Sequence, residues 1–236
     1  MTAEGDNTVL MQKVTKELLG MMQSGEMNSG YLPDPQDAPS WVITSIDSLY
    51  KLFQLREVEL LLELGSAIGS KLGDGKDMFD VWMGEESDTI QAAAKAHGER
   101  ICFEQTLKVM QGLEGGARSI MEALLRLWGL SMVETYATWY LTHNLISTET
   151  ALSLPQHVRN AVSHIGSASV DMLGILGVDE RVLHAPIAFG ARGLETYNSK
   201  DNRGEIVGDH YRRQATSFDR KGLERVRPEL LFEAKL

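Results

Sequence analysis

One stretch of the chain fixes the fold class. Across residues 46–72, apolar side chains return every three or four positions: Leu49, Phe53, Leu60/Leu61, Leu64, Ile68 and Leu72, with Arg56/Glu57 in the same phase. That is the period of a helix, and Gly73-Asp74-Gly75 stops it. The same period recurs elsewhere. Residues 9–22 set Leu10, Val14, Leu18 and Met21 on one stripe. Residues 77–112 predict another helix, whose run Gln91-Ala92-Ala93-Ala94 allows close helix approach before Gly115-Gly116 ends the segment. Residues 119–143 carry apolar side chains all round, which predicts a central helix with Leu124, Leu127, Trp128 and Trp139 buried. After a short connection, Ser147 is a good N-cap for a helix running through Val158, Val162, Ile165, Val170 and Leu173 to Gly177. Pro155 in that helix marks either its first turn or a kink. No segment alternates as a strand should. The expectation is an all-α fold, an antiparallel helical bundle of about five helices joined by short connections.

Between the first two helices, residues 28–40 hold three of the six prolines and read as a loop and hinge. Beyond Gly190 the chain is polar and weakly periodic, which predicts a partly ordered arm.

Composition excludes several functions. The 23 Lys+Arg against 33 Asp+Glu leave a net charge of −10, which disfavours binding to a phosphate backbone, so no nucleic-acid partner is expected. Most of that charge lies in residues 1–118 and reads as solvated helix faces. A single cysteine excludes a disulfide scaffold and a multi-cysteine metal site. No uncharged apolar run reaches the roughly 18 residues of a membrane span, and MTAEGDNTVL lacks the basic and apolar regions of a signal peptide.

Most chemistry-bearing residues have ordinary readings. The six histidines show no metal-protease spacing, and no metal site is expected. His157 and His164 lie seven apart on one helix without a matching carboxylate pair. Cys102, beside Phe103, reads as a small buried hydrophobe, and the four tryptophans as packing anchors. The segment Glu4-Gly5-Asp6-Asn7-Thr8, leading directly into a helix, has two readings. Asp6 or Asn7 caps the helix, with Glu4 favourable near its positive end. Alternatively, the carboxylate reaches into a cleft beside the helix, whose N–H groups hold a phosphate or a flavin edge.

The string EGDNTVLMQKVTKELL resembles the Glu-Gly-Asp/Glu-Asn-Thr-Val helix start of the acyl-CoA oxidases, the peroxisomal flavoenzymes of fatty acid β-oxidation. A second, separate match is LLRLWGLSMVETYATWYLTHNLISTETALSLPQHV, followed by VDMLGILGVDERVLHAPIA. It is similar to the C-terminal helical domain of that family. Together the two cover nearly all of residues 1–190. The related acyl-CoA dehydrogenases share the Glu-Gly element but lack this helical domain. A third feature, Ala234-Lys235-Leu236, resembles the Ser-Lys-Leu peroxisomal address.

The resemblance implies four regions: residues 1–27, the end of a dehydrogenase-like helical domain; 28–45, a linker; 46–190, the oxidase C-terminal helical domain; and 191–236, a polar tail ending in the targeting tripeptide. It implies Glu4 as the catalytic base and Gly5, Asp6, Asn7 and Thr8 beside the cofactor, FAD. It implies acyl-CoA and O2 as substrates, trans-2-enoyl-CoA and hydrogen peroxide as products, a homodimer, and the peroxisomal import receptor as a partner of the C-terminus. The family's enzymes are far longer, and the domains that supply most flavin and acyl-CoA contacts have no counterpart in this sequence. The family's usual aromatic before the Glu is here Ala3. The chain is therefore expected to be inactive alone. The alternative reading is a non-catalytic dimerisation or scaffold module that works with a separate flavin-binding chain.

Overall fold

The structure, a computed structural model, describes residues 6–26, 32–166 and 169. These form an all-helical unit. Its elements are α1 (Asn7–Ser24), a 3-10 turn (Pro35–Ser40), α2 (Ile46–Gly73), a π-helical turn (Asp80–Glu85), α3 (Ser87–Met110), α4 (Gly115–Thr135), the short α5 (Ala137–Thr142) and α6 (Thr148–Gly166).

The 28-residue α2 is the central helix. Its buried residues include Leu49, Leu52, Phe53, Leu55, Leu60, Leu61, Leu64 and Ile68, so it serves two apolar clusters, one towards each end. The first cluster joins α2 to α3, α4, α5 and α6 through Phe103, Leu125, Leu130, Val133, Tyr140 and Leu154. Phe103 stacks on Tyr50 and Trp128, and Phe53 tilts against both Phe103 and Trp128, with centroids 5.0–5.9 Å apart. The second cluster joins α2 to α1, the π-helical turn and α3 through Leu18, Val81, Ile90, Ala93 and Ala96. The small residues of the alanine run let α3 come close, as their spacing predicted.

The helix starting at residue 119 in the sequence reading is neither central nor continuous. It begins at Gly115 and breaks at Tyr136, where φ −104° and ψ 20° leave the helical region. Leu124, Leu127, Trp128 and Trp139 are only half-buried, and the buried face is Leu125, Gly129, Leu130 and Val133. A helix apolar all round still turns one side to its neighbours, and here Gly129 selects that side. A Cβ there would stand 2.9 Å from Leu49 Cδ1 and 3.1 Å from Phe103 Cε2, so only glycine admits this approach.

Other expectations are corrected. The helix predicted over 77–112 is interrupted by the π-turn, where Glu86 N–H reaches Val81 C=O five residues back. Cys102 is exposed, because the neighbouring Phe103 takes the core-facing position of α3. On α1, Met21 is exposed and Thr15 is fully buried, its hydroxyl donating to the Ile90 carbonyl at 2.8 Å. Ser147 caps α6 as expected, accepting from Thr150 N–H at 3.0 Å. Pro155 lies inside α6 rather than in its first turn, and Val162 is exposed. The expectations for Val170, Leu173, Gly177 and the arm after Gly190 fall outside the described residues. No described helix is long and apolar enough to cross a membrane.

Candidate functional site

The start of α1 carries three of the residues that the resemblance marks. Asp6 is the N-cap: its Oδ1 accepts from Thr8 N–H at 2.8 Å, and its carbonyl accepts from Val9 and Leu10 at 3.2 and 3.3 Å. Hydrogen bonds from the Thr8 backbone, then the Thr8 hydroxyl, hold the Asp6 carboxyl below its ordinary range. Three of the first N–H groups of α1 are thus taken by Asp6 itself. Asn7 is exposed, and its amide is the neutral donor and acceptor at this helix start. Glu4 and Gly5 fall outside the described residues, and so do Ala234, Lys235 and Leu236 at the other terminus.

What positions this helix start is the packing of α1. Leu18 enters the second apolar cluster, and the Thr15–Ile90 bond pins α1 to the first turn of α3. A groove of about 740 Å³ lies against the second half of α1, away from that helix start, lined by Lys16, Leu19, Ile68, Phe79, Trp82 and Met83 among others. It is mostly apolar.

A second polar constellation lies between α2 and α3. Glu57 is almost fully buried and is held by His97 Nδ1 at 2.6 Å and by Arg100 through Nε at 2.5 Å and a terminal nitrogen at 3.1 Å. Arg100 continues to Glu104, and Glu104 to Lys108. At the adjoining positions, Arg56 pairs with Glu99 at 2.6 Å and lies 3.4 Å over the Tyr136 ring, whose hydroxyl donates to the same Glu99 at 3.0 Å. Burial pushes the Glu57 carboxyl up. The hydrogen bonds from His97 and Arg100 outweigh it and hold the group below its ordinary range. A carboxylate so fully engaged is a poor base. This seam fixes how α2 and α3 pair rather than doing chemistry.

Sequence reasoning put Arg56/Glu57 in the core phase of α2 but named no partner for them. The signal was the charged pair inside an apolar period. Its partners sit some 40 residues away, where no spacing rule reaches. Among the described residues, no group of His, Cys, Asp and Glu has a metal-binding arrangement.

The family model for acyl-CoA oxidase matches residues 45–189, from the N-cap of α2 onward. A curated mouse (Mus musculus) relative, an acyl-coenzyme A oxidase-like protein, is 23% identical and covers 79% of this chain and 32% of its own length. Among solved structures, acyl-CoA oxidase 3 of Yarrowia lipolytica matches with a TM-score of 0.70 at 12% identity, over 92% of this chain and 34% of its own. An acyl-CoA oxidase of tomato (Lycopersicon esculentum) matches with a TM-score of 0.70 at 16% identity, over 90% and 35%. The chain thus spans about a third of the length of each of these proteins. With well over half of its residues inside the family's own model, and a helical fold that matches about a third of each solved oxidase, this chain belongs to the acyl-CoA oxidase family.

Proposed function

We propose that this chain is the C-terminal third of an FAD-dependent acyl-CoA oxidase, working in peroxisomal fatty acid β-oxidation. The observation that carries the reading is the family match over residues 45–189, with Glu-Gly-Asp-Asn-Thr-Val leading into and opening a helix docked on the same bundle.

The chemistry sets what the residues must do. The Cα proton of an acyl-CoA thioester is only weakly acidic. Its removal needs a positioned base in a dry site, with hydrogen bonds to the thioester oxygen. Glu4 is that base, and an apolar cleft around it would raise its pKa towards the operating pH. Gly5 lets the backbone approach the cofactor without a Cβ. Asp6 keeps α1 capped, and Asn7 offers its amide to the polar edge of a flavin ring. FAD, when bound, would supply two-electron redox chemistry, as acceptor for the hydride from Cβ with O2 as the final oxidant and hydrogen peroxide as product. The helix start of the described residues fits one edge of such a site rather than a cradle. The remaining contacts belong to a flavin- and thioester-binding half.

The test joins this chain to such a half and measures peroxide release at saturating acyl-CoA. Glu4→Gln keeps the shape but takes no proton, and turnover should fall about 10²–10⁴-fold with KM little changed. Equal rates for Glu and Gln would remove Glu4 from the mechanism. A colourless purified chain that pairs with a separate flavoprotein would favour the scaffold reading instead.

A further inference from the structure

A cleft of about 500 Å³ opens between the segment before α2, one face of α4 and one face of α6. His157, Asn160, Ala161 and His164 line it from α6, a 0, 3, 4, 7 spacing that puts all four on a single helix face. Ala123, Arg126 and Leu130 line it from α4, and Val42, Thr44 and Ser45 from the connector. No Asp or Glu is among these residues. Arg126 Nε is sealed from solvent and meets no hydrogen-bond partner, the one such side-chain atom among the described residues. No hydrogen bond or ion pair among the described residues holds the rest of the guanidinium, so its terminal nitrogens, not the sealed Nε, are the donors that a ligand in the cleft can meet. Ser45 is the N-cap of the 28-residue α2, yet its hydroxyl makes no capping hydrogen bond. The positive end of the longest helix in the bundle therefore meets the same cleft.

We infer that this cleft binds a phosphomonoester, with the phosphate on Arg126. The guanidinium fork matches phosphate oxygens. His157 adds an imidazole donor, while Thr44, Ser45 and Asn160 add neutral ones. The volume exceeds what a bare phosphate fills, and Val42, Ala123, Leu130 and Ala161 give its organic part an apolar wall. The ligand is therefore an ester rather than the free ion. None of these residues belongs to the α1 start, so the site stands apart from the proposed oxidation chemistry.

The test is calorimetric titration of the full chain with phenyl phosphate and with inorganic phosphate, against chloride at matched ionic strength. Phenyl phosphate should bind saturably, and more tightly than inorganic phosphate. Arg126→Met keeps the apolar stem, and its affinity should fall roughly tenfold to a hundredfold, the range of one charge-assisted hydrogen bond. Arg118→Met, two turns earlier on α4 and paired with Glu122, should bind within about twofold of the parent chain. Without ligand, Arg126→Met should melt no lower than the parent, since it deletes an unpaired donor. Should that variant fail to fold by circular dichroism, His157→Gln on the opposite wall should still weaken binding. The inference is overturned by the absence of saturable binding, by unchanged affinity in both cleft variants, or by an equal loss in Arg118→Met. Equal affinity for the two phosphates would overturn the ester.

Discussion

Gly129 decides more than its size suggests. Glycine in a helix interior costs about 1 kcal/mol relative to alanine, and its survival in the middle of α4 needs a reason. The reason is the 2.9 Å that a Cβ would leave to Leu49 Cδ1, with Phe103 at 3.1 Å on the other side. Leu49 and Phe103 are both fully buried and have nowhere to retreat. Gly129→Ala should therefore destabilise the chain by about 1–3 kcal/mol, as overpacking does. Gly98, on the exposed face of α3 with nothing within 4 Å, is the control. There the same substitution should stabilise by about 0.4–1 kcal/mol. Urea unfolding of the two variants reads the opposite signs directly. Nothing in the local sequence marks Gly129, because the crowding comes from α2 and α3. It likewise made Cys102 look buried, since one residue of phase on α3 separates it from Phe103.

Between elements, the α2–α3 pairing depends on polar contacts as well as on the clusters. Removing one member of a buried ion pair strands the others, so Glu57→Ala should cost about 3–5 kcal/mol in denaturant unfolding. A loss under about 1 kcal/mol would show that His97 and Arg100 find other partners. A second polar contact ties the end of α5 to α2: His143 Nε2 reaches Glu63 at 2.7 Å, and its Nδ1 reaches the Trp139 carbonyl at 2.8 Å. Burial pulls the imidazole pKa down, but the Glu63 and Trp139 hydrogen bonds outweigh it, and the net shift is upward. A raised folded-state pKa gives stability that is complete below the unfolded value, about 6.5, and is lost as pH rises through the folded one. Glu63 is half exposed, so the effect should stay below about 1 kcal/mol. Melting followed from pH 6 to 8.5 should show this loss, and His143→Gln should flatten it. The long, strongly periodic α2 was fully legible in the sequence. The break at Tyr136 was not, because 119–143 reads as one apolar run with no Gly or Pro near the break.

For the molecule as a whole, the sequence carried the fold class and the family, because both rest on patterns tens of residues long. It carried less of the site. Glu4 and Gly5 are proposed on the motif alone, and the cleft around Arg126 is assembled from three segments that no local pattern joins. Two proposed properties belong to this scale. The first is homodimerisation, which light scattering at micromolar concentration should show and a clean monomer would contradict. The second is peroxisomal import through Ala234-Lys235-Leu236. A fluorescent fusion carrying this C-terminus should collect in peroxisomes, and deleting Leu236 should release it to the cytosol. A diffuse intact fusion would reject the targeting role.

The contact at the end of α5 has an optical consequence. The Trp139 and His143 rings lie nearly parallel with centroids 3.9 Å apart, close enough for a charged imidazolium to draw excited-state electron density from the indole. Light emitted by Trp139 should then be dim while His143 carries its proton and brighten as the proton leaves. Subtracting the emission of Trp139→Phe isolates that signal from Trp41, Trp82 and Trp128. The protein thus holds its own unlabelled reporter of His143 protonation, readable in the folded state.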